Sequence, residues 1–255
     1  MCMKRLIIIL TFLAVFLNCS IAADIKTVTK DYKTVTKDGF TITAKLEYPK
    51  IKQKTDFSTI VLLHSLGYSS EWWEKLPDDI LNSGYAVLSI DLRGHGNSVY
   101  NSKLIRVSWN SMKNSAFAKY PDDVITMIDY IKNENKRTFF NNWAIIGSDI
   151  GAVTAIHVAN QIEYKPKTIV MISPLVKARG LYAPVKLAEL DNIDILSITG
   201  KSDRVSINAN NYLKKFAQST FAEYSAQSKS TGMLLLKHDT SLSKVIVSWL
   251  AQYLK

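Results

Sequence analysis

Apolar and polar positions divide this chain into short buried runs separated by longer, one-sided stretches. Thr-Val-Thr-Lys-Asp occurs twice near the start, at 27–31 and 34–38. Two copies seven residues apart are too short for a repeat architecture, and strand alternation accounts for them. Asp38-Gly39 signals a hairpin turn, with 40–48 as the partner strand. Residues 60–63, 86–90, 143–146, 169–172, 195–198 and 233–236 are apolar runs of strand length. Between them, 71–81, 150–161, 207–218 and 242–254 have helical spacing. A further helix opens at Tyr120-Pro121-Asp122-Asp123, with proline and acids in its first turn, and Val124, Ile128 and Ile131 line one face. Strands alternating with helices predict an α/β fold: a mostly parallel twisted sheet with helices on both faces and an antiparallel N-terminal hairpin. No proline- or glycine-rich linker interrupts the pattern, so 23–255 reads as one domain. In such sheets ligands bind beyond the carboxyl ends of the strands.

Composition supports this picture and narrows it. The chain has 255 residues, 47% hydrophobic and 21% charged, enough to build a core. Residues 1–22 read as a secretory signal: Lys4 and Arg5, an apolar run over 6–17, then small residues at Ser20 and Ala22. The run is shorter than the roughly 20 residues of a membrane span. Asn18 before Cys19 is a poor fit to a lipid-attachment signal. The expected location is secreted or periplasmic, with no stable membrane span after cleavage. Both cysteines, Cys2 and Cys19, lie in this segment, so the mature chain has no thiol nucleophile and no cysteine metal site. Loss of Lys4 and Arg5 takes the net charge from +10 to +8. The lysines are spread out, which predicts a solvated basic surface and no nucleic-acid partner; loose attraction to anionic envelope polymers stays open. No phosphate-binding loop occurs and the histidines lack ligand spacing, so neither cofactor nor metal is expected.

Candidate chemistry gathers at the predicted strand ends. Gly147-Ser148-Asp149-Ile150-Gly151 joins a strand to a helix, the setting of a nucleophile elbow. Asp149 is its tip, because a tip at Ser148 would put Ile146 and Ile150 where glycines are needed. Gly200-Lys201-Ser202-Asp203 follows a later strand, and His238 precedes the last helix. The order is nucleophile, acid, histidine. Only His157 and His238 follow Asp149. His157 is two turns along the same helix, about 12 Å from the tip, which leaves His238 as candidate base. No carboxylate lies in 173–184, so Asp203 is the orienting acid. The backbone of Leu66 and Ile150 supplies a candidate oxyanion hole. Ser65, Trp72 and Tyr182 are candidate substrate contacts, and Trp72 has core packing as its alternative.

These segments, with Asp91-Leu-Arg-Gly-His-Gly-Asn-Ser98 as a glycine-rich turn, resemble the α/β-hydrolase family over nearly all of the mature chain. The resemblance implies a hydrolase acting on a small molecule. Two positions depart from it: His64-Ser65 stands where the family has His-Gly, and Asp149 stands where it has serine. Haloalkane dehalogenases and epoxide hydrolases are similar in carrying aspartate there, but they have tryptophan next, where this chain has Ile150, and a helical cap for which 174–194 is too short.

Aspartate is ionised at neutral pH, with a reference pKa of about 3.9. One reading has Asp149 attack an ester or alkyl electrophile, after which water activated by His238 and oriented through Asp203 hydrolyses the covalent ester. The other has a degenerate serine esterase, retained as a binding or structural module, in which a carboxylate sits where an oxyanion should form.

Overall fold

A computed structural model describes residues 26–52 and 56–254; the proposed secretory signal lies outside them. Strands β1 (Thr27–Val35) and β2 (Thr41–Pro49) form the expected antiparallel hairpin, and β2 pairs antiparallel with β4 (Ala86–Asp91). The turn between them uses Gly39 at φ +77°, a left-handed conformation that glycine adopts without steric cost. The remaining strands are β3 (Phe57–Leu63), β5 (Thr138–Ser148), β6 (Thr168–Ile172), β9 (Asp194–Gly200) and β10 (Phe221–Ala226). The sheet order is β1-β2-β4-β3-β5-β6-β9-β10, parallel from β4 onward. A two-stranded pair, β7 (Lys177–Ala178) and β8 (Leu181–Tyr182), stands apart from it.

The two-residue period of the strands sorts side chains between two cores. Val61, Leu63, Ile145 and Met171 face one side, with α3 (Tyr120–Glu134) and α4 (Ile150–Gln161). Ile60, Leu62, Ile146 and Val170 face the other, with α1 (Leu76–Asn82) and α8 (Leu242–Tyr253). Central strands buried on both faces explain the unbroken apolar runs. Shorter helices α2 (Asn114–Phe117), α5 (Ala183–Ala188), α6 (Arg204–Leu213) and α7 (Leu234–His238) complete the chain. Among the described residues no helix is long and apolar enough to cross a membrane.

Two elements differ from expectation. The helix expected over 71–81 is a single 3-10 turn, Ser70–Trp72, followed by α1. Glu74 at φ +51° breaks the run, and Pro77 sits in the first turn of α1, where its missing N–H costs nothing. The apolar run 233–236 is not the last strand but lies at the start of α7. The last strand is β10, whose half-exposed residues carry little apolar signal. A short apolar run does not by itself distinguish a buried strand from a buried helical turn. This second correction shifts which loop reaches the site.

Candidate active site

The elbow forms because its glycines have backbone on all sides. A Cβ on Gly151 would lie 2.1 Å from the Leu63 carbonyl oxygen, and one on Gly147 would lie 2.2 Å from that of Gly151. Only glycine lets α4 start so close to β3 and β5. Between them Asp149 takes φ 56° and ψ −116°, an uncommon conformation for a non-glycine residue. Its N–H donates to the Ile172 carbonyl at 2.9 Å, which ties the tip to β6.

The Asp149 carboxylate lies on the donors expected to form the oxyanion hole. The Leu66 N–H donates to its Oδ2 at 3.3 Å. Burial raises the Asp149 pKa above the usual carboxylate range, the Leu66 and Ile150 N–H groups pull it down, and the Asp203 charge pushes it up again. The net direction is up. Asp149, Leu66 and Ile150 thus come together as the sequence implies.

The loop after β3, the candidate oxyanion loop, is held by two reciprocal histidines. His64 Nε2 accepts the Leu92 N–H at 3.0 Å, and its Nδ1 donates to the Ser65 carbonyl at 2.8 Å. His95 Nε2 accepts the Gly67 N–H at 3.0 Å, with Nδ1 facing the Arg93 carbonyl at 3.2 Å. Each loop therefore carries an imidazole that caps the other loop's backbone. Both roles need neutral rings. Burial lowers both pKa values, and for His64, with the neighbouring His95 adding to the effect, it is pushed down to about 4. Arg93, in the same turn, forks onto Asp38 and Asp123 and joins the first hairpin to α3.

Asp203 stands after β9, at the N-cap of α6. Its Oδ1 accepts the Ser206 N–H at 3.1 Å and its Oδ2 accepts the Thr231 hydroxyl at 2.8 Å. Burial raises its pKa, but hydrogen bonds from Ser206, Thr231 and Ser173 outweigh this and leave it below the usual range. Thr231 comes from the loop after β10. The next residue, Gly232, donates its N–H to Ser173 Oγ at 2.8 Å, and a Cβ on it would lie 2.9 Å from Ser65 Oγ. This loop closes against the elbow, and its Thr231 hydroxyl bonds Asp203, the candidate orienting acid.

His238 is not brought to either acid. It ends α7, is exposed, and its Nδ1 pairs with Ser230 Oγ at 2.6 Å. The sequence signal that points to Thr231 is weak: a Phe-Ala-Glu-Tyr-Ser-Ala alternation for β10, then a polar loop ending in glycine. Of the expected substrate contacts, Trp72 is 46% exposed and lines a cleft that begins at Gly67. Ser65 is buried, and its hydroxyl donates to Ser148 Oγ at 2.8 Å beneath the elbow. Tyr182 is held away from the tip: its carbonyl accepts from His157 Nε2 at 3.1 Å, two turns along α4, and its hydroxyl pairs with Tyr212.

The fold is shared with several solved hydrolases. An esterase of Pyrococcus furiosus superposes with a TM-score of 0.68 at 14% identity, covering 89% of this chain and 91% of that one. A dienelactone hydrolase from Anabaena variabilis gives 0.67 at 14% identity, with 89% and 99% covered. A thermostable carboxyl esterase from Bacillus coagulans gives 0.69 at 10% identity, again with 89% and 99% covered. No curated protein matches the chain in sequence. The family model for serine aminopeptidase S33 matches residues 55–200, which takes in the oxyanion loop and elbow and stops short of Asp203 and Thr231. With more than half its length matched, and with the strand order and elbow described above, this chain belongs to the serine aminopeptidase S33 family of α/β-hydrolases.

Proposed function

We propose that this protein has an esterase-like site that binds a small molecule beside the elbow and no longer turns it over. The observation that carries this reading is the 2.8 Å bond from the Thr231 hydroxyl to Asp203. An alcohol in that place cannot take up and return a proton near neutral pH, so the acid has no base to orient. The Asp149 carboxylate supports the same conclusion. It already accepts the Leu66 N–H, so a negative charge occupies the place where a tetrahedral oxyanion would need donors. The test is to rebuild the triad. With p-nitrophenyl esters, wild type should hydrolyse no faster than buffer. Asp149→Ser combined with Thr231→His should gain at least about 100-fold, the scale of one general base. Wild-type turnover that Asp149→Ala abolishes would refute the proposal.

One observation favours a second reading. The tip keeps the left-handed conformation that displays a nucleophile, and it displays Asp149. In this reading an Asp149 oxygen bonds to the saturated carbon of an alkyl electrophile, or of the alcohol part of a small ester, and the leaving group departs with the electron pair, leaving an enzyme ester. His238, oriented by Asp203, then takes a proton from water, which cleaves the enzyme ester. The imidazole must leave Ser230 and displace the Thr231 hydroxyl from Asp203. Mass spectrometry of a His238→Gln variant incubated with esters, epoxides and haloalkanes tests this route. A covalent adduct on Asp149 is its expected product, and an unmodified protein across the panel rejects it. Export rests on the sequence of residues 1–22 alone, and N-terminal sequencing of the protein recovered from outside the cytoplasm checks it.

A further inference from the structure

Beside the oxyanion loop lies a cleft of about 270 Å³. This is just below the roughly 300–1,000 Å³ of pockets that hold drug-sized ligands, and suits a molecule with one ring. Two aromatic pairs contribute to its walls. His95 and Trp109 stack with ring centroids 5.8 Å apart and 6° between planes. Tyr68 meets Trp72 edge to face at 5.2 Å. Trp72 keeps 46% of its surface exposed although no catalytic role needs it there. Gly67 lets the Trp109 ring come close to the oxyanion loop, since a Cβ there would already lie 3.3 Å from the indole. Arg106 also lines the cleft, and no ion pair holds its guanidinium among the described residues.

We infer that this cleft binds a single aromatic ring carrying a carboxylate. Flat aromatic walls select a ring by stacking, and a guanidinium selects a planar carboxylate through paired N–H donors. No carboxylate side chain lines the cleft, so no like charge there opposes a bound anion. Gly67, at the edge of the cleft, follows Leu66, whose N–H faces Asp149, so the cleft adjoins the loop that contacts the elbow. The inference deepens the binding role proposed above by naming a ligand class, but it does not depend on whether turnover occurs.

Isothermal titration calorimetry of the purified protein with benzoate, benzamide, benzylamine and hexanoate tests it. Benzoate should bind at least tenfold more tightly than the other three. Arg106→Gln should weaken benzoate about tenfold and leave benzamide within twofold. Trp72→Ala should weaken both benzoate and benzamide, and thermal unfolding should show both variants folded. Equal affinity for benzoate and benzamide, tighter hexanoate, no benzoate binding, or an Arg106→Gln variant that still prefers benzoate would each overturn the inference. The heats report binding alone, so failure here is separable from the outcome of the rebuilt-triad assay.

Discussion

The two halves of the site are built differently. The upstream half, formed by the turns after β3, β4 and β5, is buried and fixed by backbone. His64 and His95 each cap the other's loop, and Gly147 and Gly151 sit against main chain at distances no side chain could share. The downstream half, formed by the loops after β9 and β10, is more open: Gly200 packs against the Ser230 carbonyl, but side chains hold its polar groups. Asp203 holds Thr231, and half-buried Ser230 holds exposed His238. A residue wedged against backbone cannot change without moving the sheet, whereas a threonine on an exposed loop can. The contrast shows how a fold can hold its elbow rigid while the downstream loop side chains are free to vary.

That contrast predicts unequal responses to substitution. Gly151→Ala should be the most damaging, because its Cβ meets the rigid Leu63 carbonyl; a loss of about 3 kcal/mol is expected for such overpacking, measured by urea unfolding. Wild-type stability above that of the alanine variant by less than about 1 kcal/mol would break the comparison.

Acid should next weaken the upstream half. The folded pKa of His64 is depressed to about 4 from an ordinary 6.5. The unfolded chain therefore binds the proton first, and stability present above pH 6.5 is lost as pH falls through this window toward 4. In His64→Gln the decline in melting temperature between pH 6.5 and 4 should be shallower than in wild type. An identical slope would remove His64 from the account.

Asp149 gives the opposite sign. Its folded pKa is raised, so the folded state favours the protonated acid, and stability present at low pH is lost as pH rises through that raised value. Asp149→Asn should therefore be more stable than wild type at pH 7, with the gap closing toward pH 4. A variant less stable than wild type at pH 7 would mean the carboxylate contributes to the fold as an anion. The smallest effect is expected downstream: Thr231→Ala removes one hydrogen bond on an exposed loop and should cost about 0.5–1.5 kcal/mol or less, again by urea unfolding.

The upstream half was legible in the sequence because its constraints are local. The apolar run of β5, the spaced glycines and the helical run of α4 are contiguous, so the tip could be assigned to Asp149 from residues 147–151 alone. Leu66 was read from the turn after β3, Ile150 from the elbow, and Asp203 from its place between β9 and α6. The partner of Asp203 was not legible. It depends on which of two weak segments pairs with β9 in the sheet, and the more apolar one, 233–236, misleads. Leu235 and Leu236 are buried against other elements as a helical turn, while β10 pairs with β9 at the sheet edge with most of its residues half-buried or exposed. The surroundings of Ser65 and Tyr182 were not legible for a related reason: their partners, Ser148 and Tyr212, lie far away in sequence.

By itself, then, the order of residues determined the α/β architecture, the elbow and the charge at its tip, because period, turn chemistry and glycine sterics act over a few positions. Only the tertiary structure decided that a threonine faces the acid, that the aspartate rests on the oxyanion donors, and that aromatic walls and Arg106 share one cleft. Those are meetings between distant loops, and they are set by how the strands align in the sheet.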